Sequence, residues 1–322
     1  MIRAALLAAT VPVAAMACEP IPPVDALAFQ SRYADGDASR SVLDPARAAA
    51  AKAAVAELDA FVSEVTRGLN TPEGAACAVA RLAAWARADA LSELGSETAR
   101  LTVGARLAGM ALALRQAAPL AGDDTAAAEV ATWLGRRLAE QRRFWARDAP
   151  RGAARGNLRA WAALAAAATA DTSGDRSLAA WATWSMQHVL CTAGPDGALP
   201  QEMRRGPRAL HYQLHAVAPL VTGAAVLRDQ GIDLARRCDG ALDRVVGYAL
   251  SEIASDGART VARTGEAQTL LADDAIPPHM LAWLEPWLAM RDDPRAETLA
   301  APLRPLRYSK LGGDVTAQWG KP

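Results

Sequence analysis

"DPARAAAAKAAVAELDAFVSEV" (residues 44–65), "PEGAACAVARLAAWARADAL" (72–91) and "SETARLTVGARLAGMALALRQ" (96–116) decide the fold class. Apolar residues recur in them at the spacing of one helix face, and Asp44, Pro45, Pro72 and Ser96 stand where caps and first turns belong. The pattern continues in "TAAAEVATWLGRRLAEQRRFWARD" (125–148), "RGNLRAWAALAAAATA" (155–170), "DRSLAAWATWSMQHVL" (175–190), "DGALDRVVGYALSEIA" (239–254) and "PPHMLAWLEPWLAMRDD" (277–293). Period-two alternation is nearly absent, so the chain reads as all-α. The elements recur without a repeating signature, which excludes a TPR or ankyrin array. Short connections between consecutive helices make antiparallel hairpins, and about ten such helices arrange as a solenoid or a closed toroid.

Composition narrows the classes of function. The 322 residues are 52% apolar, too rich for a disordered chain, and 35 Lys+Arg balance 35 Asp+Glu. No global basic field suggests nucleic acid as a partner, so any anion site is local. Only Lys52, Lys310 and Lys321 are lysines; the other cations are arginines, whose fork suits carboxylates.

The N-terminus "MIRAALLAATVPVAAMAC" has a charged Arg3, a short apolar run and small residues at Ala15 and Ala17. This is the pattern of a secretory signal peptide over 1–17, and it predicts a mature domain over 18–322 in the periplasm or outside the cell. Cys18 at the new N-terminus raises a lipoprotein alternative, although "AMAC" lacks the usual branched apolar residue of a lipobox. No other stretch is long and apolar enough to span a bilayer. Four cysteines in an exported chain favour disulfides over metal ligands. Of the three pairings, Cys18–Cys77 with Cys191–Cys238 is the expected one; the alternative is buried free thiols.

Chemistry concentrates in "GPRALHYQLHAVAPL" (206–220), where Arg208, His211, Tyr212 and His215 fall at i, i+3, i+4 and i+7 and share a helix face. Imidazole moves protons near neutral pH, a stabilised phenol can do the same, and guanidinium neutralises a carboxylate. Together they suit removal of a proton α to a carboxyl group, where fixed donors must stabilise the charge that develops. The preceding loop, "TAGPDGALPQEMRRGP" (192–207), adds Glu202, Arg204 and Arg205. A looser segment over 254–278 reads as a long excursion and a candidate lid. His211 and His215 lack a third ligand and no HExxH occurs, so neither a metal nor a cofactor is expected. Glu202 has no evident second acid for hydrolysis by paired carboxylates. His188 and His279 have no supporting context and read as structural.

"LPQEMRRGPRALHY", with "NLRAWAALA", "LAWLEPW" (281–287) and "LGGDVT" (311–316), resembles the exported alginate lyases, the poly-mannuronate lyases of polysaccharide lyase family five. "FQSRYADGDASRSVLD" (29–44) is similar to that family's N-terminal motif, and the order of motifs covers the mature chain. The resemblance implies an (α/α) incomplete toroid with a long groove for an anionic polysaccharide. It further implies that Arg32 stands at a family Lys, Asn157 at a family Asn, Arg208 at a family Arg and Tyr212 at a family Tyr, while Trp161 and Glu202 match family residues. Two positions depart: Leu158 stands where the family has His, and His215 where it has the catalytic Tyr. The resemblance therefore implies a lyase in which Arg32, Asn157 and Arg208 neutralise a uronate carboxylate. In it His215, backed by Tyr212, moves the proton, and Arg204, Arg205, His211 and Trp161 line the groove. The alternative is a groove that has lost turnover and binds a uronan during exopolysaccharide export. A monomer is the default expectation.

Overall fold

The computed structural model describes residues 18–271 and 276–320; the predicted signal peptide lies outside them. In chain order the helices are α1 (Pro45–Ala54), α2 (Ala56–Val65), α3 (Pro72–Arg87), α4 (Glu97–Thr102), α5 (Gly104–Ala121) and α6 (Asp124–Arg147). They continue as α7 (Asn157–Ser173), α8 (Arg176–Leu190), α9 (Pro200–Met203), α10 (Ala209–Asp229) and α11 (Ala241–Ala254). The last four are α12 (Ala258–Thr264), α13 (Leu284–Met290), α14 (Pro294–Ala300) and α15 (Val315–Trp319). Two short pairings complete the chain: parallel β1 (Ala26–Leu27) with β2 (Glu93–Leu94), and antiparallel β3 (Arg307–Tyr308) with β4 (Gly313–Asp314).

Why these helices stack as they do follows from their faces. α5, α7 and α10 are apolar on all sides and are buried along most of their length, whereas α3, α6, α8 and α11 bury one face. A helix without a polar face must be enclosed by others. The three therefore form an inner layer, with α5 against α3, α6 and α7, and α7 against α8 and α10. This is the (α/α) toroid, its core continuous from Leu27 to Val315. The expected caps Asp44 and Ser96 each accept a first-turn N–H, and Thr71, Asp123 and Asp175 do the same for α3, α6 and α8.

Small residues set the spacing of the inner layer. A Cβ on Gly104 would lie 2.8 Å from the backbone nitrogen of Ala162 and 2.9 Å from its Cα. Gly104→Val should cost at least about 2 kcal/mol through overpacking and lower the melting temperature by roughly 4–8 °C. Equal melting curves for the two proteins would show that α5 and α7 separate freely.

Both expected disulfides are present, Cys18–Cys77 and Cys191–Cys238, with Cα–Cα distances of 5.3 and 5.2 Å. A Cys18 sulfur in that bond is not open to lipid attachment.

The two motifs near the C-terminus interlock. Glu285 of "WLEP", buried in α13, accepts from Thr316 Oγ1 at 2.6 Å and from Arg304 Nε at 2.8 Å, while Thr316 Oγ1 accepts from the Leu306 N–H. Gly312 and Gly313 of "LGGDVT" take φ of +88° and +100°, and a Cβ on Gly313 would strike the Thr66 carbonyl. These motifs are structural. They press the β3–β4 hairpin, which carries Tyr308 and Lys310, against α2 and α5.

Candidate active site

The loop before α10 is fixed by a buried amide. Gln213 Oε1 accepts from the Leu199 N–H and its Nε2 donates to the Gly197 carbonyl. Gln268 does the same from the other side, accepting from the Leu210 N–H and donating to Gly206 O. The segment expected as a loose excursion is thus packed down through residue 271, with α12 inside it. Tyr248 and Glu252 of α11 hold Thr260 there. Short side-chain staples hidden in "YALSE" and "EAQTL" decide this, and periodicity does not register them.

On that support the predicted stripe meets residues of other segments. Tyr212 lies edge-on to His211 at 4.9 Å and His215 lies 6.3 Å from both rings. Trp161 of α7 closes on His215 at 5.2 Å. Arg32 reaches in from the N-terminal segment, its Nη2 donating to the Tyr212 hydroxyl at 2.8 Å and to the Tyr33 hydroxyl at 3.1 Å. The two hydroxyls share a short hydrogen bond. Arg205 caps the pair, its guanidinium 3.6 Å from the Tyr212 ring centre, and ties the N-terminal segment down through the Arg40 carbonyl at 2.6 Å. Arg208 stands farther off, 5.9 Å from the same ring. Arg204 is exposed and makes none of these contacts.

Asn157 begins α7, one turn before Trp161 on the same face. Its backbone N–H and Nδ2 both donate to the buried Glu202 carboxylate, at 2.8 and 2.9 Å. Glu202 therefore orients Asn157 and accepts at a helix N-terminus. Burial raises its pKa to about 7 against the pull of those two donors. Leu158, half-buried, packs into a satellite cluster with Leu101, Phe144, Trp145 and Ala162. It completes a wall and offers no proton.

Tyr308 and Lys310, which the sequence expectation left out of the site, and His279, which it read as structural, lie against it. Tyr308 stands edge-on to Trp161 at 6.0 Å and 5.1 Å from His279, and Lys310 sits 3.9 Å from Asp59, which is gripped by Arg106 through two bonds of 2.9 Å. Tyr33 is the fourth addition if the N-terminal motif is counted by its arginine alone. A signal existed for Lys310: it is a lone lysine in an arginine chain, immediately before "LGGDVT". His279 had none.

The electrostatics are one-sided. Burial, then the charges of Arg208, Arg32 and Arg205, push His211 down to about 3. Burial, then His211, Lys310 and Arg32, hold His215 well below an ordinary imidazole. Both rings are uncharged at neutral pH. Burial opposes ionisation of Tyr212, but Arg205, Arg32 and the Tyr33 hydrogen bond outweigh it, so its pKa falls. Tyr33 moves up through burial and the neighbouring Tyr212 charge. The pair thus places any negative charge on Tyr212 with Tyr33 donating. Burial, then Arg106, lowers Lys310 to about 8 despite Asp59. Among the described residues, no three His, Cys, Asp or Glu side chains gather as a ligand set.

Uncharged imidazoles, a phenol whose charge is stabilised and the guanidiniums of Arg32, Arg205 and Arg208 thus gather at one place on a helical toroid, a set of groups suited to an anionic ligand. Comparison with known proteins gives the class a family. The alginate lyase family profile matches residues 28–259. An alginate lyase of Pseudomonas putida (strain GB-1) is 31% identical over 317 residues, covering 93% of this chain and 84% of that one. The crystal structure of alginate lyase A1-III from Sphingomonas species A1 superposes with a TM-score of 0.77 at 21% identity, covering 95% of this chain and 87% of that one. An A1-III variant complexed with a tetrasaccharide gives 0.79 at 22% identity, over 98% and 89% of the chains. The chain belongs to the alginate lyase family and is a polysaccharide lyase.

Proposed function

We propose that this protein cleaves a uronate polymer, alginate rich in mannuronate or a close relative, by β-elimination. The observation that carries this is the neutral His215 set beside a Tyr212–Tyr33 pair clamped by Arg32 and Arg205. The uronate carboxylate enters the field of Arg32, Arg208 and Lys310, with Asn157 Nδ2 offering its second hydrogen. Neutralised there, the carboxylate accepts the electron density released when the C5–H bond breaks. His215, uncharged and therefore able to accept, takes that proton. The C4–O4 bond then breaks, the electrons of C5 form the C4=C5 double bond, and the proton returns to O4. Carboxylate binding adds the negative charge that raises the basicity of His215 within the complex. The two disulfides support an oxidising location such as the periplasm.

The test is ultraviolet absorbance of the unsaturated product on poly-mannuronate, poly-guluronate and poly-glucuronate across pH 5 to 9. We expect a rise on poly-mannuronate or one close relative. The pH profile carries the mechanism. The charged form of His215 is suppressed in the free enzyme, so kcat/KM should show no acid limb near the ordinary imidazole value of 6.5. Lys310 is charged below about 8 and loses its charge above it, so kcat/KM should fall as pH rises through that value. A kcat/KM that climbs steadily above pH 8 would hand the proton to Tyr212. Polymer bound with no absorbance change on any uronan would make the groove a binding site without turnover.

A further inference from the structure

Outside the cleft, on the opposite flank of the turn that begins α7, a second group of cations surrounds an exposed tryptophan. Trp184 of α8 is 53% exposed, whereas Trp85, Trp133 and Trp161 are fully buried and Trp181 of the same helix is partly buried. Its ring stacks with His188, one turn on, at 5.6 Å and 27°. The guanidinium of Arg159 lies 4.3 Å over the same indole. Arg159 is only 3% exposed, yet its Nε and Nη2 have no hydrogen-bond partner and no carboxylate pairs with it among the described residues; its hydrogen bond there is one of 3.4 Å from Nη1 to Ala154 O. Arg155, exposed on the short 3-10 turn that packs on α7 and α8, adds a second unpaired charge felt at His188.

This is a costly arrangement for a structural role. Elsewhere in the chain the buried arginines are paired, Arg106 with Asp59 and Arg137 with Glu140. The buried Arg159 guanidinium has only an indole face and one long carbonyl bond, which recover part of the hydration it loses. A flat indole left in water forfeits its burial. Both costs are recovered by a ligand with an apolar ring face for the indole and a carboxylate for the guanidiniums. A sugar acid has both. The turn also ties the two places together, since Asn157, between Arg155 and Arg159, is held by Glu202 one turn before Trp161, whose ring meets His215.

We propose that Trp184, Arg155, Arg159 and His188 form a distal uronate subsite, which holds a sugar of the polymer several units from the bond that is cleaved. The assignment of polymer rests on the lyase reading, but the site itself is tested by binding. Trp184→Ala and Arg155→Glu are surface changes away from the catalytic cleft. Each should weaken binding of a hexa-mannuronate about tenfold by calorimetry, equivalent to about 1.4 kcal/mol. Neither should alter binding of a tri-mannuronate, too short to reach from the cleft. In turnover, KM for the polymer should rise by the same factor with kcat unchanged. If no uronan is turned over, the hexamer isotherms still decide the subsite. Hexamer affinity equal to wild type in both variants overturns the proposal. So does equally tight binding of a sulfated glucan that loses the same factor in the variants, which would mark a general polyanion patch.

Discussion

His215→Ala is expected to lower turnover of the uronan at least about a hundredfold, the range of a lost general acid–base group, while polymer binding persists. The ring sits where α10, Trp161 and the Tyr212 hydroxyl pair converge, and its neutrality leaves a lone pair ready to accept a proton. Arg32, Arg205 and Arg208 remain in the variant, so affinity for the anionic chain should change little. Single-turnover absorbance with saturating polymer measures the chemical step, and calorimetry measures binding. A rate within a few-fold of wild type would take His215 out of the proton path and leave Tyr212 as the one group in the cleft whose charged form is stabilised.

Arg32→Ala should be comparably severe, about a hundred- to a thousandfold in kcat/KM, as when a donor aimed at developing charge is removed. The loss is double. Arg32 offers charge to the substrate carboxylate and also holds both tyrosine hydroxyls, with bonds of 2.8 and 3.1 Å. Its removal should raise the pKa of Tyr212, which spectroscopic titration of the phenolate reads directly. Arg32→Lys should recover most of the rate, since an ammonium supplies the charge and one donor, although not the fork. If Ala and Lys behave alike and the phenolate titration does not move, Arg32 is a structural strut of the N-terminal segment.

The departures at 158 and 215 take on physical meaning in the fold. Leu158 lies in an apolar wall, so the position has been absorbed into packing against Phe144 and Trp145. Three other groups crowd the cleft instead: His211, His279 and Lys310. Each lowers the basicity of His215, and Lys310, charged below about 8, adds the positive potential that attracts a polyuronate. One arrangement therefore serves binding and keeps the imidazole uncharged.

Much was legible in the residues themselves. Helical period without strand alternation determined the all-α class, because an apolar stripe at 3.6 residues can be buried only as a helix face. The caps and the shared face of Arg208, His211, Tyr212 and His215 follow from local spacing, which the chain carries within a few turns; the disulfide partners, 59 and 47 positions apart, do not. What lies far apart in sequence was decided by the tertiary structure alone. Tyr33 meets Tyr212 across 179 positions, Lys310 approaches Asp59 from the far end of the chain, and Glu202 holds Asn157 across 45 positions. Those pairings depend on which loops the toroid brings to one rim. The field that neutralises His215 likewise comes from summing burial with charges on separate segments, and no single stretch of sequence contains that sum.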